Sequence, residues 1–332
     1  MAHELNFQDG KAAMMYVGEE PWHGLGTKLS KPATAAEAIK AASLDWTVVK
    51  APLEYRLDHR LLPVPDRFAI VRSDSTPEKP LPVLGIVGRN YTPLQNRDAF
   101  SWFDGIVGEG AAIYHTAGAL GDGERVWVLA KLPGEIRVVG DDIAEKFLLL
   151  SNSHDGSATV QVKFTPIRVV CQNTLTMALR SGPTVRVPHT RDLKQRLISA
   201  RVNLGIIQKQ FGRLEEGFRR MVKVPMTGDR LEKYLKLVLP DPADEENERG
   251  VRKIAEARRQ AGRLFEAGRG NSAPGVGGTL WAAYNGVTEF VDHHRPGGIG
   301  DRRLDSIWFG DGYHIKARAY RVAMQHSVAW RN

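Results

Sequence analysis

The chain has 332 residues, of which 42% are hydrophobic and 25% charged, the composition of an ordinary globular protein with an ample core. No apolar run approaches the roughly 20 residues of a membrane-spanning helix and the N-terminus lacks a signal-peptide apolar segment, so we expect no membrane partner and a cytoplasmic location. Cys171 is the only cysteine, which excludes a disulfide framework and a thiolate metal cluster and predicts a small core residue.

The formal net charge of +8 is distributed unevenly along the chain. From Arg180 to Gly270 there are 21 Lys and Arg against 12 Asp and Glu, so this one segment accounts for the whole excess. A basic helical segment beside a near-neutral region predicts a polyanionic partner, nucleic acid before membrane. The alternative is a solvated helical surface that is merely rich in lysine and arginine.

The N-terminal third of the sequence predicts a loop followed by strands and two short helices. The first thirty residues are rich in glycine and are interpreted as a loop. Thr34 and Glu37 form a capping-box pattern for a helix that runs through Ala42. Strand patterns follow at 46–49, 53–57, 68–71 and 83–87, and Asn96 is placed to cap a second helix.

The middle of the chain predicts two hairpins. The first pairs 115–120 with 125–132, and 136–139 adds an edge strand. The second pairs 147–150 with 160–165 through a turn that contains Asp155-Gly156. Alternation in its second strand predicts a dry face and a wet face, with Lys163 on the wet one. Apolar residues at helical spacing predict a helix from Arg168 to Leu179.

A helical period governs the rest of the chain. Apolar residues alternate at spacings of four and three over about four heptads, and these residues are Leu193, Leu197, Ala200, Leu204, Ile207, Phe211, Leu214, Phe218 and Met221. Further helices are predicted from Gly250 to Ala267 and from Thr279 to His293. The predicted class is α+β: a twisted, antiparallel, hairpin-rich sheet packed by helices, followed by a long basic helix and a C-terminal helical region. The predicted domains are 1–182, the sheet domain, and 183–332, the basic and mainly helical domain.

Motifs for catalysis and for cofactor or metal binding are absent from the sequence. A phosphate loop, a nucleophile elbow and a dinucleotide fingerprint are missing, so no catalytic residue, cofactor or metal is expected. Asp292, His293, His294 and His314 are the residues of an alternative interpretation, a metal-dependent nuclease or hydrolase. Adjacent histidines on a helix point about 100° apart, which does not favour a shared metal ion.

Five stretches in order resemble a family of phage- and plasmid-borne proteins of unknown function. The stretches are LGIVGRNYTPLQN (84–96), HTAGALGDGERVWVLAKL (115–132), FLLLSNSHDGS (147–157), FTPIRVVCQNTL (164–175) and GTLWAAYNGVTEFVDH (278–293). This resemblance implies a mobile element and a bacterial host cell. The order of elements, a hairpin-rich sheet followed by a long basic helix, is also similar to the Rad52-type single-strand annealing proteins. That similarity implies ring or filament assembly without nucleotide hydrolysis.

These observations lead to a hypothesis of an ATP-independent, oligomeric protein that binds and anneals single-stranded DNA. The grooves of single-strand binding proteins combine cations that contact the DNA backbone with aromatic rings that stack on bases. The candidate residues, chosen from charge and position, are Arg89, Tyr91, Arg125, Trp127, Lys131, Lys163, Arg168, Lys194, Arg196 and Arg201. The alternative for Trp127 is a core aromatic. A module that binds and blocks a host protein is a third hypothesis.

Overall fold

The computed structural model describes residues 5–8, 10–18, 24–31, 33–107, 113–168, 173–174, 185–203, 207–244, 247–295, 303–308 and 310–330. The strands are β1 Phe7–Gln8, β2 Lys11–Ala12, β3 Met14–Val17, β4 Thr27–Leu29, β5 Val48–Leu57, β6 Arg60–Arg72, β7 Gly85–Gly88, β8 Ile113–Leu120, β9 Arg125–Val139, β10 Asp142–Ser153, β11 Val160–Arg168, β12 Asn173–Thr174 and β13 Val185–Val187. The helices are α1 Ala35–Ala41, α2 Asn96–Val107, α3 Leu193–Asn203, α4 Ile207–Val222, α5 Gly228–Val238, α6 Glu248–Ala267, α7 Leu280–Glu289, α8 Arg303–Trp308 and α9 Asp311–Ala329, and a π-helical turn, Phe290–His294, continues α7.

The described strands form a large sheet, a small sheet and a separate β1–β2 pair. The large sheet has the order β12-β11-β10-β9-β8-β3-β4, with β13 also paired to β11, and all its pairs are antiparallel except β3 with β4. The small sheet has the order β5-β6-β7 and is antiparallel throughout. The predicted α+β class, an antiparallel hairpin-rich sheet with helices, is confirmed.

Both faces of the large sheet are buried where β9, β10 and β11 run side by side. One face, which includes Val128, Leu150 and Val162, belongs to the main core together with side chains of α2, α4 and α7. The other face, which includes Trp127 and Leu149, packs in a second cluster with Ile307 and Trp308 of α8 and with apolar residues of the N-terminal strands. Helices therefore cover this sheet on both sides.

That second layer explains why the predicted wet face of β11 is wrong. Lys163 and Thr165 are only 7% and 5% exposed, and the Lys163 ammonium donates a hydrogen bond of 3.2 Å to the Trp308 carbonyl. The same ammonium lies 4.2 Å from the centre of the Tyr313 ring. Alternation in a single strand identifies which residues share a face, but a segment about 145 positions later in the chain decides whether that face is wet.

Four further local predictions differ from the structure. Within the predicted N-terminal loop, β3 joins the large sheet between β4 and β8. The predicted edge at 136–139 is the continuation of β9, and β11 runs through Pro166 to Arg168. Asn173 and Thr174, inside the predicted helix, form β12 against Arg168 and Ile167, so the helix is wrong at these two positions. The rest of that segment, Cys171 included, lies outside the described residues.

The predicted long helix corresponds to α3 and α4, and residues 204–206 between them lie outside the described part. Its seam residues Leu193, Leu197, Phe211, Leu214, Phe218 and Met221 are all buried in the main core. The predicted domain boundary at 182 also lies outside the described residues. Described residues before and after that position contribute to one hydrophobic core, because α4 packs against β9 and Trp281 of α7 donates a 2.7 Å hydrogen bond to Asp142.

Among the described residues, no helix has both the length and the apolar composition needed to cross a membrane.

Candidate nucleic-acid interface

The two aromatic residues predicted to stack on bases are engaged inside the protein. Trp127 is 2% exposed, and its six-membered ring lies against Gly118, where an added Cβ would clash with it. Tyr91 stacks on His189 with 4.7 Å between ring centres, and its hydroxyl donates to the Ser153 carbonyl at 2.8 Å. Burial raises the pKa of the Tyr91 hydroxyl. The Trp127 ring is therefore buried, as in the core alternative, and His189 covers one face of the half-buried Tyr91 ring.

The predicted cations on the strands have protein partners or lie in a pocket. Arg89 forms an exposed ion pair with Asp66 at 2.5 Å, and Lys131 pairs with Glu145 at 2.5 Å. Lys163 is buried beneath α8, as described above. Arg168 belongs to β11, but its side chain lies outside the described part.

Arg125 lies in a polar pocket of about 280 Å³ at one end of the β9–β10–β11 hairpins. The pocket is lined by Arg125, Ser151, Asn152, Ser153, Ala158, Thr159 and Gln161. Strand alternation places Ser151 and Ser153 on the Arg125 side of the sheet, whereas the Asn152 side chain points to the other side and donates to the Leu94 carbonyl. The pocket therefore contains a guanidinium, hydroxyls and an amide, and the Ser153 hydroxyl donates to the Asp155 carboxylate.

The predicted cations of α3 are also neutralised by neighbours. Lys194 lies 3.7 Å from Asp98 of α2, and Arg196 pairs with Asp192 at 2.5 Å. Hydrogen bonds from Thr190 and Arg196 lower the pKa of the Asp192 carboxyl to about 2, so this acid stays ionised. The Arg201 side chain lies outside the described part.

Helix α6 presents a different arrangement, a line of exposed cations without acidic partners. Arg249, Arg252, Lys253 and Arg263 are exposed, and none forms an ion pair with a residue in the described part of the chain. At 100° per residue the four side chains fall within an arc of about 100°, and at 1.5 Å per residue they span about 21 Å. The sequence identified α6 as a basic helix, but these four residues were not among the candidates.

An adjoining face of α6 is buried and holds the helix in this orientation. Asn247 caps its N-terminus by accepting the Gly250 N–H at 2.9 Å. Ala261 and Leu264 are buried, and α6 approaches α7 so closely that a Cβ on Gly286 would lie 2.8 Å from the α6 backbone. The unpaired cations therefore face away from the protein on a helix whose position is fixed by packing.

Helix α4 has four basic residues, and carboxylates one turn away compensate two of them. Arg219 pairs with Glu215 at 2.6 Å, and Arg220 pairs with Glu216 one helical turn away. A cation that already has a carboxylate partner must give up that contact to bind a phosphate. The unpaired face of α6 is therefore the better candidate for a polyanion interface.

The Ser-Asn-Ser-His-Asp-Gly-Ser turn contributes a buried polar cluster rather than an exposed site. Asn96 donates its amide hydrogens to the Leu44 and Trp46 carbonyls, so its oxygen accepts from His154 Nε2 at 3.0 Å. His154 is fully buried, and its Nδ1 has no partner among the described residues. Burial lowers the pKa of His154 to about 3, with a smaller contribution from His189. This histidine is neutral at physiological pH and orders the junction of α2 and β10.

The residues of the hydrolase alternative lie on the π-helical turn and on α9. Asp292 accepts a 2.7 Å hydrogen bond from Lys316, and both side chains are almost completely buried. The His294 ring lies 3.8 Å from the Glu289 carboxylate, and His314 is exposed. Burial lowers the pKa of His293. Throughout the described ranges, no three His, Cys, Asp or Glu side chains are grouped to hold a metal ion. The Lys316 ammonium balances the buried carboxylate of Asp292.

Comparison with known proteins identifies one family. A family model described as a domain of unknown function, DUF932, matches residues 83–327, about three quarters of the chain. Neither the curated proteins nor the solved structures include a match. The matched segment runs from the strand before α2 to the last turns of α9 and includes the polar pocket, the buried histidine cluster and the α6 face. The chain therefore belongs to the DUF932 family.

Proposed function

We propose that this protein binds single-stranded DNA through its phosphates and anneals complementary strands without a nucleotide cofactor. The observation that carries the proposal is the row of four exposed, unpaired cations on α6. Single-strand binding proteins contact the phosphates of the DNA backbone with such cations. Each phosphate that a cation neutralises releases counterions into solution, and this release favours binding.

The composition of the α6 face also suits annealing. The α6 face carries no aromatic ring, because the one aromatic residue of this helix, Phe265, packs against the core. A strand held by its phosphates alone keeps its bases unstacked from the protein and available for pairing. This replaces the stacking role that the sequence suggested for Trp127 and Tyr91.

The wider context supports the same proposal. The sequence resembles phage- and plasmid-borne proteins, and its order of elements is similar to Rad52-type annealing proteins; both resemblances support a proposed role in DNA recombination on mobile elements. Assembly into a ring or a filament stays a prediction from that resemblance.

The test measures binding and strand pairing separately. Fluorescence anisotropy of a labelled single strand should show binding that weakens steeply with salt, because the affinity comes from phosphates. Two complementary labelled strands should pair faster with the protein than without it, in the absence of ATP. No binding at low salt would overturn the proposal, and binding without faster pairing would overturn its annealing part.

A further inference from the structure

Exposed apolar side chains are concentrated on the small sheet. Val49, Tyr55, Leu57, Leu61 and Ile86 are 48% to 60% exposed and account for half of the large hydrophobic side chains exposed in the described part of the chain. They come from β5, β6 and β7. A monomeric surface rarely gathers so many apolar side chains unless a partner covers them.

The apolar side chains of β5 form a stripe along one face. Val49, Ala51, Leu53, Tyr55 and Leu57 occupy every second position of β5, the spacing of side chains that share one side of a strand. The pairing of β5 with β6 shifts register between Pro52 and Glu54, within this stripe. The opposite face of the strand begins at Val48, which is buried in the main core, and continues with Lys50, which lies over the Phe68 ring. The stripe consequently faces away from the core.

Strand β5 is also an edge strand. Among the described strands only β6 pairs with it, so its other edge has unpaired backbone groups. The Ser73 N–H donates to the Thr47 carbonyl, so Thr47 faces β6, whereas the backbone of Val48 faces outward and is bound by the Gln95 side chain. Beyond the register shift between Pro52 and Glu54, the hairpin closes with Leu57 opposite Arg60 across a two-residue turn. The closing pair of such a hairpin is hydrogen-bonded, so Leu57 and Tyr55 face β6, and Glu54 and Arg56 direct their N–H and C=O groups outward.

We propose that β5 pairs with β5 of a second copy of this chain, antiparallel, about a two-fold axis at Tyr55. In this register Leu53 lies opposite the partner's Leu57, and Tyr55 lies opposite the partner's Tyr55. Glu54 lies opposite the partner's Arg56, and the symmetry repeats the pair. The outward backbone groups of Glu54 and Arg56 then form the hydrogen bonds between the two copies.

The charges favour this register over its neighbours. Glu54 and Arg56 are both exposed, and neither forms an ion pair with a residue described by the structure. Centring the axis on Glu54 would place two glutamates opposite each other, and centring it on Arg56 would oppose two arginines. Like charges directly across an antiparallel pair are unfavourable. The sequence of this strand is therefore complementary to itself in one alignment.

This surface belongs to the chain's own N-terminal part. Strands β5 and β6 precede residue 83, where the family match begins. The α6 face lies within the match and on a separate element. Self-association and DNA binding therefore depend on different residues and can fail independently.

Charge reversal in the full-length protein tests the proposal. The wild type should sediment as a dimer that dissociates on dilution, whereas Glu54→Arg and Arg56→Glu should each be monomeric at the same concentration. Mixing the two variants should restore a dimer, because each arginine then meets a glutamate. Arg97→Glu, a reversal at an exposed position of α2, serves as a control and should dimerise like the wild type.

Recovery on mixing excludes misfolding as the cause of the monomeric state. A monomeric wild type, an unaffected Arg56→Glu variant, or variants that stay monomeric when mixed would each overturn the proposal. A different protein bound stably to this strand would overturn it as well. DNA affinity measured on the same samples reports on α6 and should be retained by every monomeric variant.

Discussion

The exposed face of α6 yields the most direct prediction. Replacing Arg249, Arg252, Lys253 and Arg263 with glutamine removes the four unpaired cations and no described ion pair. Glutamine has nearly the helix propensity of arginine and lysine, and the apolar face of α6 is unchanged, so the fold should persist. The expected result is a large loss of affinity for single-stranded DNA.

The magnitude follows from counterion release. Each neutralised phosphate on a single strand changes the logarithm of the binding constant by about 0.7 per tenfold change in salt, so four contacts give a slope of about −2.8. The wild type should lose about 50-fold in affinity between 50 and 200 mM salt through these contacts. At about 100 mM salt the four contacts contribute about 4 kcal/mol, or several hundred-fold in affinity, which the variant should lose.

A matched variant separates the arrangement of α6 from net charge alone. It removes four exposed cations outside α6 that already have carboxylate partners, by replacing Arg137, Arg196, Arg219 and Lys236 with glutamine. Both variants change the net charge by the same amount, and anisotropy titrations over a salt series give both slopes. Equal losses in the two variants would refute the reasoning, because total charge would then suffice. An unchanged slope in the α6 variant would refute it directly.

Three further predictions concern stability. Lowering the pH from 7 to 5 should reduce the free energy of unfolding by about 2 kcal/mol through His154, because this histidine binds a proton below about pH 6.5 when unfolded, while burial lowers its folded pKa to about 3. The His154→Gln variant should show a weaker pH dependence in urea unfolding, and an unchanged pH dependence would contradict this. Gly286→Ala should destabilise the protein by about 1–3 kcal/mol, because the added Cβ would meet the α6 backbone. Gly212→Ala, whose Cβ would have nothing within 4 Å, should stabilise it by about 0.5–1 kcal/mol, and thermal unfolding compares the two variants. Lys316→Ala should lower the free energy of unfolding by about 3–5 kcal/mol, because it leaves the buried Asp292 carboxylate without its partner. Replacing both residues with apolar ones should lower it less, and a larger loss in the double variant would contradict this account.

The sequence by itself determined the features that depend on neighbouring residues. The Thr34–Glu37 capping box forms as predicted, with the Thr34 N–H donating to Glu37 at 2.9 Å and the Glu37 N–H donating to Thr34 at 3.3 Å. Thr279 caps α7, and the two hairpins β8–β9 and β10–β11 pair as expected. Capping, turn chemistry and periodicity act within a few residues, so the sequence displays them directly.

Only the tertiary structure decided which face is wet and which charge is free. Lys163 is at an alternate position of its strand, as predicted, yet α8 and the start of α9 cover it. Lys194 and Arg252 look alike in the sequence, but Asp98 of α2 lies 3.7 Å from the first, while the second has no described ion-pair partner. Burial and pairing arise from segments that meet only in the folded chain, and local sequence patterns do not encode the distances between them.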